Sequence, residues 1–145
     1  MRVADLRGVR KTTVTVAPGA GLAEIAATMR RNGIGALVVT DGGDRPKGIV
    51  TERDIVAAVG FTWSTAATLP ASQLMSSPVL TCSPADRLTE VMRTMLERRV
   101  RHLPLVEGGR LVGMVSMGDV IKGLLEDLES ETNLLRDLYL SASSR

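Results

Sequence analysis

Apolar positions along the chain switch between two periods. Leu22, Ile25, Ala26 and Met29 fall at i, i+3, i+4 and i+7, the spacing of an amphipathic helix. Arg30-Arg31-Asn32-Gly33 closes that helix with cations at the negative end of its dipole and a glycine suited to a left-handed cap. Ahead of it, Val14-Thr15-Val16 predicts a short strand stopped by Pro18-Gly19. Behind it, residues 36–40 form an apolar strand, Asp41-Gly42-Gly43-Asp44 a turn, and Gly48-Ile49-Val50 the returning arm of a hairpin. A second helix is expected over residues 51–59.

The same order then recurs. A shift of 66 places Thr15 on Thr81, Pro18 on Pro84, Leu22 on Leu88, Glu24 on Glu90 and Met29 on Met95. Leu88, Val91, Met92 and Met95 repeat the helical spacing, and Gly42-Gly43 falls on Gly108-Gly109. Beyond that turn the shift becomes 65, a one-residue deletion in a hairpin loop. Strand–helix–strand–strand–helix therefore occurs twice, an internal duplication. Residues 60–77, rich in Thr, Ser and Ala, read as a linker with a helical turn over 72–75. Residues 1–11 read as a brief helix or an arm.

Each copy contains the same heptapeptide. Gly48-Ile49-Val50-Thr51-Glu52-Arg53-Asp54 and Gly113-Met114-Val115-Ser116-Met117-Gly118-Asp119 share a glycine, an apolar pair, a hydroxyl and an aspartate three residues later. This predicts a buried strand turning directly into a helix, with Thr51 or Ser116 as N-cap and Asp54 or Asp119 completing the capping pattern. Such termini present unpaired N–H groups and a positive dipole end to anions.

The final helix is expected to outrun its counterpart. Ile121, Leu124, Leu128, Leu135 and Leu138 keep a roughly heptad spacing, interrupted by Glu131. Packing on its own domain and a seam between two copies both fit that pattern.

Composition narrows the function. Of 145 residues, aromatics make up 2%, which argues against the base-stacking platforms of single-strand nucleic-acid binders. The net charge of +2 demands no polyanionic partner, though it is uneven. After Lys122 five acids face two bases, so that segment is −3 and the remainder +5. No stretch has the apolar length of a membrane span, and the N-terminus lacks a signal-peptide core. The single cysteine, Cys82, excludes an intrachain disulfide and makes a reducing, cytoplasmic setting the expectation.

Taken together, Thr15-Val16-Ala17-Pro18, residues 34–39, Arg101-His102-Leu103-Pro104-Leu105-Val106 and the two heptapeptides resemble the cystathionine beta-synthase (CBS) domain family. The chain is similar to a stand-alone tandem CBS pair, or Bateman module. The resemblance implies an α/β fold with two small sheets packed face to face. It divides the chain into repeats at 10–61 and 76–126, a linker at 62–75 and a C-terminal helical extension at 127–145. It implies clefts between the repeats for adenosine-containing ligands (AMP, ADP, ATP, NAD or S-adenosylmethionine), with AMP, ATP or NAD the expected ligands. It also implies a regulatory rather than catalytic role, a homodimer and a regulated protein that the residues do not identify. The family's hydroxyl touches phosphate and its aspartate the ribose, roles that would fall to Thr51 with Asp54 and Ser116 with Asp119. Gly35 and Ala36 begin a strand that could wall the adenine. Arg101 and His102 form a basic pair expected to serve the cleft containing Asp54; repeat one has Gly35-Ala36 at that position, so the clefts should differ.

Plainer readings stand beside these. Either heptapeptide alone could be only a capping box. Arg53 could reach a phosphate or simply be a solvated helix residue. Arg98 and Arg99 read as charges at a helix C-terminus, and Cys82, in register with Val16, as a small strand hydrophobe. One histidine and one distant cysteine make a metal site improbable. No catalytic residue and no catalytic cofactor are expected. The rival classes are an enzyme acting on a nucleotide, which would turn over ATP or NAD, and a nucleic-acid binder using the arginines near Arg98, which would show steep salt dependence.

Overall fold

The computed structural model describes residues 1–9 and 13–144. The expected start of the first repeat at residue 10, the end of the leading segment and Arg145 lie outside the described residues.

Repeat one runs β1 (Thr15–Val16), α1 (Leu22–Asn32), β2 (Ala36–Val39), β3 (Gly48–Thr51) and α2 (Glu52–Phe61). Its sheet has the order β1-β2-β3, with β1 parallel and β3 antiparallel to β2. Two short helices follow, α3 (Trp63–Ala66) and α4 (Ala71–Leu74). Repeat two supplies α5 (Leu88–Arg98), the hairpin of β4 (His102–Glu107) and β5 (Arg110–Ser116), and α6 (Met117–Ser143).

The duplication is legible in individual hydrogen bonds. The Thr40 N–H donates to the Val16 carbonyl (3.0 Å), and the Val106 N–H donates to the Cys82 carbonyl (2.8 Å). A parallel bridge between Cys82 and Leu105 stands where repeat one has β1. The hairpins pair Val39 with Gly48 and Leu105 with Gly113, so the shift changes from 66 to 65 between those partners. A bulge between Leu105 and Val106 marks the place. Gly108 and Gly109, at φ 58° and 79°, make the tight turn of the second hairpin.

Each repeat buries its own aliphatic cluster. Ile25, Leu37, Val39 and Val50 anchor the first; Leu88, Val91, Met95, Leu103 and Val115 anchor the second. Alternation of small and branched residues fills both cores without aromatics. Cys82 lies in the second, and burial, with Asp86 nearby, pushes its thiol up to about 12. A thiol held neutral in this way is a strand hydrophobe.

Two stretches outside the expected repeats are core. Ala66, Ala71 and Leu74, within the expected linker, are buried in repeat one. The leading segment, a 3-10 helix at Val3–Asp5, packs on repeat two. The Ala71 N–H donates to the Ala20 carbonyl (2.8 Å) and the Ser72 N–H to the Pro18 carbonyl (2.9 Å). The Val3 N–H donates to the Asp86 carbonyl and the Ala4 N–H to the Pro84 carbonyl, both at 2.9 Å. These are the same acceptors one repeat later. Each repeat is thus covered by the segment that precedes the other one.

Helix α6 has 27 residues, about 40 Å at 1.5 Å per residue. Its first turns pack on repeat two through Val120, Gly123 and Leu124. A Cβ at Gly123 would fall 2.5 Å from Leu6 Cδ2 and 2.7 Å from Leu88 Cδ1, so those side chains would have to shift to admit one. From Leu128 onward every described residue is exposed. Among the described residues, no helix is long and apolar enough to cross a membrane.

Candidate functional site

Both heptapeptides fold as strand-to-helix junctions. At the first, the Thr51 N–H and Oγ1–H both donate to Asp54 Oδ2, at 2.8 and 3.0 Å, and the Asp54 N–H returns to Thr51 Oγ1 at 3.4 Å. At the second, the Ser116 N–H and Oγ–H donate to Asp119 Oδ2, at 2.8 and 2.7 Å, and the Asp119 N–H returns to Ser116 Oγ at 3.1 Å. These are complete capping boxes. They also orient each carboxylate. Oδ2 is committed to the cap, while among the described residues no hydrogen bond reaches Oδ1 of either aspartate. The single proton of each hydroxyl goes to its own aspartate, so a phosphate contact from Thr51 or Ser116 would have to compete with that bond.

Each junction is tied to the loop before the central strand of its own repeat. The Glu52 N–H donates to the Gly35 carbonyl (3.0 Å), and the Met117 N–H donates to the Arg101 carbonyl (2.8 Å). Gly33 (φ 60°) and Arg99 (φ 55°) turn the preceding helices into these loops. Gly35 leaves room for the Glu52 side chain: a Cβ there would lie 3.1 Å from Glu52 Oε2. At Gly48, a Cβ would strike Met75 Sδ and lie 2.9 Å from the Ser76 carbonyl oxygen, which explains the first glycine of that heptapeptide.

Two clefts form where a junction of one repeat meets the loop of the other. The first, about 400 Å³, is lined by Thr51, Arg53 and Asp54 of repeat one and by Arg98, Arg99, Arg101 and His102 of repeat two, with Glu52 and Leu103 beside them. The second, about 330 Å³, is lined by Ser116 and Asp119 of repeat two and by Gly35 and Ala36 of repeat one, with Thr13, Val14 and His102. Both volumes are in the range of small-molecule sites. Gly35 also touches the first cleft. The expected residues thus divide between two sites, and His102 belongs to both walls.

Among the described residues the two clefts differ in charge. Four arginines line the first, and among the described residues no arginine or lysine lines the second. Arg53 reaches across the first cleft: its Nη1 donates to the Arg99 carbonyl at 3.2 Å, which joins the repeats. Arg98 and Arg99, read from sequence as helix-terminal charges, line this cleft as well. Burial lowers the His102 pKa below 6.5 against the opposing pull of Glu52 and Asp119, with Arg101 adding to the lowering. The ring is therefore neutral at pH 7, able to donate from one nitrogen and accept at the other.

Sequence reasoning missed Thr13. Its Oγ1 is a buried hydroxyl with no hydrogen-bond partner among the described residues, set in the wall of the second cleft. Buried polar atoms are nearly always hydrogen-bonded, so an orphan in a cavity wall points to a polar group in the cavity. A lone threonine before a strand carries no periodic signal that could have revealed it.

Comparisons with known proteins agree with this architecture. A family model described as CBS domain matches residues 3–60 and 71–126. The solved CBS-domain containing protein ATU1752 from Agrobacterium tumefaciens is 38% identical, with a TM-score of 0.79 over 85% of this chain and 98% of that one. A Methanopyrus kandleri protein, MK0525, is 35% identical over 114 residues, which is 78% of this chain and 58% of that protein. The chain spans 58%, 32% and 66% of the lengths of three such curated relatives. CBSX2, solved in complex with AMP, is 23% identical with a TM-score of 0.73, covering 86% of this chain and 96% of that one, and shares the fold. Two matched repeats, the recurring hydrogen-bond frame and the solved neighbours lead to one conclusion: this chain belongs to the CBS domain family, as a tandem pair.

Proposed function

We propose that the chain is a regulatory module that binds adenine nucleotides between its repeats and has no catalytic activity of its own. One observation carries the reading. Each cleft combines an aspartate whose Oδ1 takes no hydrogen bond among the described residues, a helix N-terminus and a strand start from the opposite repeat. A carboxylate of that kind accepts from both vicinal hydroxyls of a ribose. The helix terminus favours phosphate, and the apolar loop residues leave a slot for a purine. The AMP in the CBSX2 crystal shows an adenine nucleotide held by a protein of this fold, and it guides the choice of ligands. AMP, ATP and NAD all meet the chemistry. The arginine-lined cleft suits the more phosphorylated ligand, and the second cleft, with Thr13 and Asp119, suits the less charged one.

Calorimetric titration of wild type, Asp54→Ala and Asp119→Ala with AMP, ATP and NAD tests the reading. Each charge-assisted hydrogen bond is worth ~1.5–3 kcal/mol, so each substitution should weaken its own cleft by about tenfold to a hundredfold. Replacing Arg101 and His102 together with Ala should weaken ATP far more than adenosine. Equal affinities and stoichiometries in all the proteins would end the proposal. Turnover of ATP or NAD by purified protein would replace the regulatory reading with an enzymatic one.

A further inference from the structure

From Leu128 onward every described residue of α6 is exposed, and beside Leu134, Leu138 and Leu140 its exposed apolar residues include one regular row. Ile121, Leu125, Leu128, Leu135 and Tyr139 are 45%, 55%, 59%, 67% and 72% exposed. With Thr132 between them, their spacings are 4, 3, 4, 3 and 4. That is the a/d alternation of a two-stranded coiled coil, continued over three heptads. The stripe is distinct from the face α6 uses at home, where Val120, Gly123 and Leu124 meet repeat two. It is therefore available along its whole length while the protein is folded.

We propose that this stripe is the seam of a parallel coiled coil with α6 of a second copy of the chain. Two features select another α6 over an unrelated partner. The first is the repeat itself: a 3.5-residue period is matched by a helix of the same period, and a second copy supplies it in register. The second is charge. With Ile121, Leu128 and Leu135 at d and Leu125, Thr132 and Tyr139 at a, Glu131 takes a g position and Arg136 the e position five residues on. A parallel pair sets Glu131 of one copy against Arg136 of the other, twice, with no like-charged e/g contact. An antiparallel pairing of the same stripe, Ile121 against Tyr139 and Leu128 against Thr132, would instead bring the two Glu131 side chains together on one flank. Thr132 at a is the polar interruption that fixes register at some cost in stability. The inference does not depend on which ligand the clefts take.

Cross-linking and mass measurement on the full chain test it. Ile121→Cys and Tyr139→Cys, made separately, should each oxidise to a covalent dimer, because a parallel seam sets each position beside itself. Wild type is the control, since the neutral, buried Cys82 thiol should stay unreactive. An antiparallel seam would hold each pair of cysteines far apart, and failure of both to cross-link overturns the proposal. By light scattering at micromolar concentration, wild type should weigh twice the chain mass and Leu128→Asp/Leu135→Asp half as much as wild type. Both replaced side chains are exposed in the single chain, so the variant should keep its fold and its calorimetric response to AMP. A monomeric wild type, or a variant whose mass equals that of wild type, overturns the proposal.

Discussion

Arg99 holds a backbone conformation that repeat one assigns to a glycine. Its φ of 55° matches 60° at Gly33, and in the left-handed region a side chain costs about 1 kcal/mol. What the arginine adds is charge at the first cleft, where its carbonyl also receives Arg53. Arg99→Gly should therefore raise stability by roughly 0.5–1 kcal/mol in urea unfolding while weakening a phosphorylated ligand. A stability loss would mean the side chain has packing value that outweighs the strain. His102 gives a second residue-scale expectation. Its folded pKa lies below the unfolded 6.5, so the unfolded chain takes up a proton first as pH falls. The associated stability is fully present above pH 6.5 and is lost as pH drops towards the folded value. Unfolding midpoints between pH 7 and 5 should fall more steeply for wild type than for His102→Gln. Parallel slopes in the two proteins would remove His102 as the cause.

At the scale of elements, the heptapeptides are where local rules and tertiary structure coincide. Gly48 is dictated by Met75 and Ser76, Thr51 and Asp54 by the cap, and both requirements are written within seven residues. Such short-range chemistry is what a sequence displays most openly, and the strand and helix periods around it are equally visible. Other features have no local signature. The 3-10 helix Val3–Asp5 is too short to show a period, yet Val3 is 2% exposed in the core of repeat two. Val3→Ala should cost ~1.5 kcal/mol, at about 0.8 kcal/mol per buried carbon, and a midpoint unchanged in denaturant would contradict that burial. The same limit applies to Ala66, Ala71 and Leu74, whose Thr- and Ser-rich surroundings read as linker. In α6 the heptad was visible but its phase was not. Leu124, counted from sequence in the stripe, faces repeat two, and the exposed row runs through Leu125 and Tyr139. Only the position of the domain against the helix distinguishes the two.

For the whole molecule, duplication yields two similar clefts, and divergence makes them unequal. The frame is conserved to the level of single hydrogen bonds, whereas the loop residues are not: Gly33-Ile34-Gly35-Ala36 on one side faces Arg99-Val100-Arg101-His102 on the other. Contacts between the hairpins hold the repeats in this relation. The Leu111 N–H donates to the Asp44 carbonyl at 2.6 Å, and Arg110 Nη1 meets Asp44 Oδ2 at 3.1 Å. The exposed ion pair itself adds little. His102 is the one described titratable side chain in the wall of both clefts.

The exchanged leading segments have a consequence for how the protein can be divided. Residues 1–9 lie on repeat two and α4 lies on repeat one, so neither repeat is a self-sufficient cassette. Cleavage in the stretch between α3 and α4 would leave a first half bearing a piece shaped for the second, and a second half bearing a piece shaped for the first. The halves would be reciprocal parts, each exposing the bare patch that the other is built to close.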